Sequence, residues 1–134
     1  MKRGFICGVF DLFHYGHLLA FMECHEYCHY LVVGVNSAEN IDPVINPGKN
    51  KPIFPLNHRV ELLKACRLVD EVVVYQSESE LLSLLASQHY DIRFLGEDYK
   101  NKPITGMEFT PELHYLSRTH GFSSSLFRNK IQTS

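Results

Sequence analysis

A chain of 134 residues holds one ordinary domain and leaves no room for a second core. At 45% hydrophobic and 21% charged residues it matches soluble folded proteins, and no apolar run approaches the ~20 residues of a membrane span. A formal charge of −2 lacks the basic excess that general binding to nucleic acid or an anionic membrane needs, so neither is expected as a partner.

In chain order, Gly4 to Cys7 reads as a first strand, Gly8 to Phe13 as a turn, and His14 to Tyr27 as a helix with Leu18, Leu19, Phe21 and Met22 at helical spacing. Tyr30 to Val35 is a continuous apolar run, as a strand covered on both faces would be. Asn36 to Pro55 contains Pro43, Pro47, Gly48, Pro52 and Pro55, which exclude a long helix or central strand. A loop of that length inside a small domain is usually functional. A helix follows over Leu56 to Cys66, a strand over Val72 to Tyr75 and a leucine-rich helix over Glu78 to His89. A strand at Ile92 to Leu95, a short edge strand near Leu113 to Leu116 and a last helix from about Ser124 complete the chain. Apolar runs alternating with helical segments predict a parallel α/β sheet.

Chemistry concentrates in Gly8-Val9-Phe10-Asp11-Leu12-Phe13-His14-Tyr15-Gly16-His17. It lies between the first strand and the first helix, where open α/β sheets bind ligands. His14 and His17 are three apart at a helix start, so both rings can share one face. Unpaired N–H groups at that helix end, and the absence of side chains at Gly8 and Gly16, suit a phosphate. An isolated histidine pair would more simply cap the helix or sit on the surface.

The whole run resembles the G-x-F-D-x-x-H-x-G-H signature of the cytidylyltransferase-like nucleotidyltransferases. The resemblance implies an α/β fold, a Rossmann-like doubly wound parallel sheet of the HxGH type, over residues 1–134. It implies that His14 and His17 contact the phosphates, His17 nearest the reacting centre, with Gly8, Val9, Phe10, Asp11 and Gly16 around the nucleotide. Lys49 and Lys51 resemble the lysine-rich loop ahead of a histidine–arginine pair, here His58-Arg59, in glycerol-3-phosphate cytidylyltransferases. Either lysine could serve as a catalytic cation, and Lys49 and Arg59 are placed at the acceptor. Cys66-Arg67-Leu68-Val69-Asp70-Glu71-Val72 is similar to the R-Y-V-D-E-V segment of those enzymes, which puts Arg67 near the acceptor phosphate; the plainer reading is an ion pair with Asp70 or Glu71. Arg118-Thr119-His120-Gly121-Phe122-Ser123-Ser124-Ser125 resembles R-T-x-G-I-S-T-T, so Arg118, Ser123, Ser124 and Ser125 are expected at the nucleotide, Arg118 also in catalysis. Ser124 and Ser125 could equally cap the last helix.

Nucleotidyl transfer is in-line attack by an already anionic phosphate on the α-phosphorus of a nucleoside triphosphate. It needs positioning and charge neutralisation more than a general base. The resemblance implies Mg²⁺ bound with the nucleotide and no protein metal site, a homodimer to which Phe13 and Tyr15 could contribute, and CTP with a small phosphorylated alcohol such as glycerol 3-phosphate. The alternative enzyme is an adenylyltransferase of the heptose-phosphate type, because Asp98-Tyr99-Lys100 and Ile104-Thr105-Gly106 resemble that subgroup. A non-enzyme alternative is a catalytically silent nucleotide-binding protein. Cys24-His25 and Cys28-His29 invite a zinc site but point different ways on their helix, so Cys24 and Cys28 are expected as buried apolar residues. Four cysteines without small-scaffold spacing, and an opening Met1-Lys2-Arg3-Gly4 unlike a secretory leader, favour a cytoplasmic location.

Overall fold

The computed structural model describes residues 1–37 and 52–117. The elements are β1 (Arg3–Gly8), α1 (Tyr15–Cys24), β2 (Tyr30–Asn36), α2 (Leu56–Lys64), β3 (Glu71–Tyr75), α3 (Glu78–Gln88), β4 (Ile92–Gly96) and β5 (Glu112–Leu116). The strands form one sheet in the order β3-β2-β1-β4-β5, every neighbouring pair parallel. The chain winds from β1 out to β3, then returns past β1 to lay down β4 and β5. The reversal falls between β1 and β4, the place where open α/β sheets leave a crevice at their carboxyl ends.

Strand alternation divides the core between two faces. Ile6, Leu31, Val33, Val35 and Phe94 face Phe21 and Cys24 of α1 and Leu63 of α2. Phe5, Val32 and Tyr75 face Leu81 and Leu85 of α3 together with Tyr90. Both faces are therefore covered, as continuous apolar strands require. The amino edge of the sheet is laced by polar contacts: Arg3 N donates to Asp91 Oδ2 at 2.8 Å, Leu31 N to Asp70 Oδ2 at 2.8 Å, and Lys2 Nζ to Glu112 Oε2 at 2.8 Å.

The predicted elements recur with shifted ends. α1 stops at Cys24, three residues short of the expected Tyr27, and a turn follows in which Tyr27 N and Cys28 N both bond the Cys24 carbonyl. α3 stops at Gln88 because His89 takes the left-handed conformation (φ 55°), which ends a helix. Two short 3₁₀ turns, Glu97–Tyr99 and Met107–Phe109, lie between β4 and β5. The helix expected from Ser124 lies outside the described residues.

Candidate functional site

The turn after β1 is held in an unusual backbone path. Phe10 (φ 54°) and Leu12 (φ 50°) both occupy the left-handed region, which costs bulky side chains of order 1–3 kcal/mol each and persists only where the surroundings enforce it. Two groups do so. Asp11, 3% exposed, accepts hydrogen bonds from Leu12 N (3.1 Å), Ile53 N (2.8 Å) and Phe54 N (2.9 Å). Arg59, 2% exposed, donates from Nε to the Phe54 carbonyl (3.2 Å), from Nη1 to those of Val9 (3.0 Å) and Asn36 (2.7 Å), and from Nη2 to that of Ser37 (2.7 Å). Together they tie the exit of β1, the exit of β2 and the entry to α2 into one rim.

His14 and His17 stand on that rim. His14 is the N-cap of α1, and the two residues make a reciprocal capping box: Gly16 N donates to His14 Nδ1 (3.0 Å) and His14 N donates to His17 Nδ1 (3.2 Å). His17 N and Leu18 N bond the His14 carbonyl at 3.0 and 3.3 Å. The expectation of unpaired N–H groups at this helix end is thus corrected. The N–H groups of His14 and Gly16 are taken by the imidazoles, and that of His17 by a carbonyl. The capping and the functional readings of the pair merge, because each ring caps the helix through Nδ1 while standing on the rim of the candidate site. An Nδ1 that accepts carries no proton, so each ring in this arrangement is a neutral imidazole with an Nε2–H donor.

Packing keeps His17 neutral. The rings of His14 and His17 stack with centroids 3.9 Å apart, Phe13 lies over His17 at 5.7 Å and Phe10 meets it edge-on at 5.5 Å. Burial among these rings, reinforced by the neighbouring His14 and opposed by the Asp11 carboxylate, pushes the His17 pKa down to about 3. Two stacked rings with centroids 3.9 Å apart, backed by the positive end of α1, can face phosphate oxygens, His17 without gaining or losing a proton. A Cβ on Gly8 would stand 3.5 Å from the Phe10 ring, an ordinary contact, so packing within the protein does not demand that glycine.

Of the expected site residues, Gly8, Val9, Phe10, Asp11, His14, Gly16 and His17 come together here. Val9 and Asp11 contribute through the frame: the Val9 carbonyl accepts from Arg59, and the Asp11 carboxylate is bonded to three backbone N–H groups. Arg59, expected at the acceptor phosphate, is placed beneath the rim with its guanidinium committed to carbonyls. Arg67 lies in the turn that enters β3, at the amino edge of the sheet, and is not brought to the histidines of its own chain. Nor does it pair with its acidic neighbours as the plainer reading had it: Asp70 accepts from Leu31 N and lies 3.6 Å from His25 Nε2, and Glu71 accepts from Tyr30 Oη. Lys49, Lys51, Arg118, Ser123, Ser124 and Ser125 lie outside the described residues.

Sequence reasoning missed Phe13 as a wall of the His17 pocket, having placed it at a dimer contact. It also missed Glu23, whose carboxylate accepts from Ser117 N (3.1 and 3.2 Å) and from His114 Nε2 (2.7 Å). Partners so distant in sequence leave no local signal. Among the described residues no three His, Cys, Asp or Glu side chains converge as a metal cage. Cys24 and Cys28 are buried in the core as expected, while His25 Nε2 lies 2.6 Å from the Leu68 carbonyl and His29 Nδ1 accepts from Lys2 N.

A family model described as cytidylyltransferase-like matches residues 5–130. The chain is 34% identical over 131 residues to Bifunctional protein HldE of Helicobacter pylori strain HPAG1, a match covering 98% of this chain and 28% of that protein. It is 31% identical over 128 residues to Bifunctional protein HldE of Campylobacter fetus, covering 96% of this chain and 27% of the relative. The chain therefore spans less than a third of the length of these relatives. Among solved structures, the lipopolysaccharide core biosynthesis protein from Thermoplasma volcanium aligns over 99% of this chain and 88% of its own, with a TM-score of 0.62 and 26% identity.

Proposed function

The chain belongs to the cytidylyltransferase-like family of nucleotidyltransferases, and we propose that within it this protein transfers a nucleotide, AMP from ATP, to a sugar phosphate of the heptose-phosphate kind. A phosphate oxygen of the acceptor attacks the α-phosphorus in line, the new P–O–P linkage forms, the α–β bridge breaks and pyrophosphate departs. The attacking phosphate is already ionised, so the site's work is to orient two polyanions and to meet the charge that develops.

The observation that carries the reading is the stacked His14–His17 pair at the start of α1, each ring capping the helix through Nδ1, with the Nε2–H of His17 available to phosphate oxygens. Neutral donors suit a site that must release pyrophosphate as well as bind it. Lys49 or Lys51, Arg118 and the serines at 123–125 are assigned to the phosphates on their motif resemblance. Lys49 is also kept at the acceptor, whereas Arg59 is assigned to positioning. Mg²⁺ enters with the triphosphate, whose oxygens suit it better than neutral imidazoles do.

ATP is favoured over CTP on two grounds. The segments Asp98-Tyr99-Lys100 and Ile104-Thr105-Gly106 resemble the adenylyltransferases of heptose phosphates. The similar solved structure is named for lipopolysaccharide core biosynthesis. The cytidylyl reading, with glycerol 3-phosphate or a similar polyol phosphate, rests on Arg67 to Val72 and on Arg118-Thr119.

The experiment is pyrophosphate release with Mg²⁺, crossing ATP and CTP against a heptose phosphate and glycerol 3-phosphate. Release with ATP and the sugar phosphate, lowered about 100-fold or more in His17→Ala, is the expected outcome. Release with CTP and the polyol phosphate would instead make it a cytidylyltransferase. Nucleotide binding without release from any pair would leave a silent binding protein.

A further inference from the structure

One cation is buried on the α3 face of the sheet, away from the histidine pair. Arg93 of β4 is 4% exposed. It pairs in register with Phe5 of β1, so Cys7, two residues further along β1, points to the same face. Arg93 Nη1 donates to the Thr105 carbonyl, and Nη2 lies 3.9 Å from Cys7 Sγ. The Nε–H of Arg93 is buried without a partner among the described residues. Nε–H and Nη2–H form one side of the planar guanidinium fork, so the orphaned donor lies beside the one that meets the sulfur. Tyr75, 5% exposed, also lies close enough to Cys7 for the two groups to interact electrostatically.

One guanidinium donor thus meets a thiol, which is a weak acceptor, while the N–H beside it goes unused. A buried guanidinium with an unused N–H is costly, and an oxygen atom bonded to the sulfur would supply the strong acceptor that this side of the fork lacks. The other cysteines differ. Cys24 and Cys28 are packed in the apolar core, and Cys66 lies against that core on the opposite face; among the described residues none of them has a guanidinium hydrogen bond.

We propose that Cys7 is a site of oxidation to the sulfenic acid by a hydroperoxide, with Arg93 and Tyr75 as the cradle for the added oxygen. The sulfur attacks the distal peroxide oxygen, the S–O bond forms as the O–O bond breaks, sulfur loses two electrons, and the other peroxide oxygen takes the displaced thiol proton and leaves as an alcohol, or as water when the oxidant is hydrogen peroxide. Cys7 is bonded to Gly8, so the modification sits one residue from the turn that carries His14 and His17. A thiol reductant returns the sulfur to its starting state.

The test exposes the full chain to hydrogen peroxide in the presence of dimedone, which traps sulfenic acids, and maps adducts by peptide mass. Label on Cys7 is expected about tenfold faster than on Cys66, and slowed to the Cys66 rate in Arg93→Lys. Equal labelling of Cys7 and Cys66 would overturn the proposal, as would an unchanged Cys7 rate in Arg93→Lys. Should circular dichroism show Arg93→Lys unfolded, Tyr75→Phe decides by the same criterion, since it removes one donor and keeps the ring. The readout is a mass, so its result is independent of which nucleotide the protein uses.

Discussion

His17 shows how one side chain can be tuned by its neighbours' rings. Its folded pKa of about 3 lies below the ordinary 6.5, so between those values the unfolded chain takes up a proton that the folded one refuses. Its contribution to stability is therefore fully present above pH 6.5 and is lost as the pH falls towards 3, at a slope of at most about 1.4 kcal/mol per pH unit. His17→Gln keeps an acceptor at the third helical position, where glutamine also closes a capping box. The drop in urea midpoint from pH 7 to pH 5 is expected to be larger in the wild type than in His17→Gln; equal drops would remove His17 as the source. Arg59 offers a second residue-scale test. Lysine cannot reproduce four hydrogen bonds to separate carbonyls, so Arg59→Lys should lower stability by about 2–4 kcal/mol, measured by denaturant titration. A raised KM for the acceptor with unchanged stability would instead return Arg59 to the ligand. The motif made Arg59 legible as important but not its task, because arginine serves phosphates and carbonyls with the same fork.

At the scale of elements, α1 is clamped at both ends: its first turn by the capping box, and its last by Glu23, which holds Ser117 at the end of β5. Ser117 is bonded to Arg118, so Glu23 sets where the chain leaves the sheet towards the residues assigned to the nucleotide. Tyr27 flanks the clamp with its ring 4.1 Å from that of His114. Glu23→Ala is expected to cost about 1–3 kcal/mol and to raise KM for the nucleotide more than it lowers kcat, in thermal unfolding and steady-state kinetics. A stability loss with KM unchanged would confine the clamp to the fold. Strand and helix identities were legible because Tyr30 to Val35 and Leu81 to Leu85 carry the periodicity of covered elements. Where the ends fall was less so, since the stop at His89 depends on a left-handed backbone that no neighbouring residue announces. The 3₁₀ turn at Met107–Phe109 was invisible for a like reason: Gly106 (φ 75°) fits ahead of it because a Cβ would come within 2.4 Å of Leu85, a contact made across the fold.

For the molecule as a whole, a parallel sheet was implicit in the alternation of elements but its strand order was not, since several orders share that alternation. The nucleotide and the acceptor were not legible to the same degree, because phosphate handles look alike in sequence while bases and sugars are read by pocket shape. Among the described residues no helix is long and apolar enough to cross a membrane. The frame of the site has a further consequence, in the order of biosynthesis. Both histidines, Asp11 and Arg59 lie within the first 59 residues, and among the described residues their hydrogen bond of longest span, from Arg59 to Val9, covers 50 positions, whereas β1 meets β4 across a separation of 88. Loop closure favours the shorter span, and chains emerge from the ribosome amino end first. The rim around His14 and His17 can therefore be assembled on β1, β2 and α2 while β4 and β5 are still being translated, so that the second half of the chain docks onto a catalytic frame already in place.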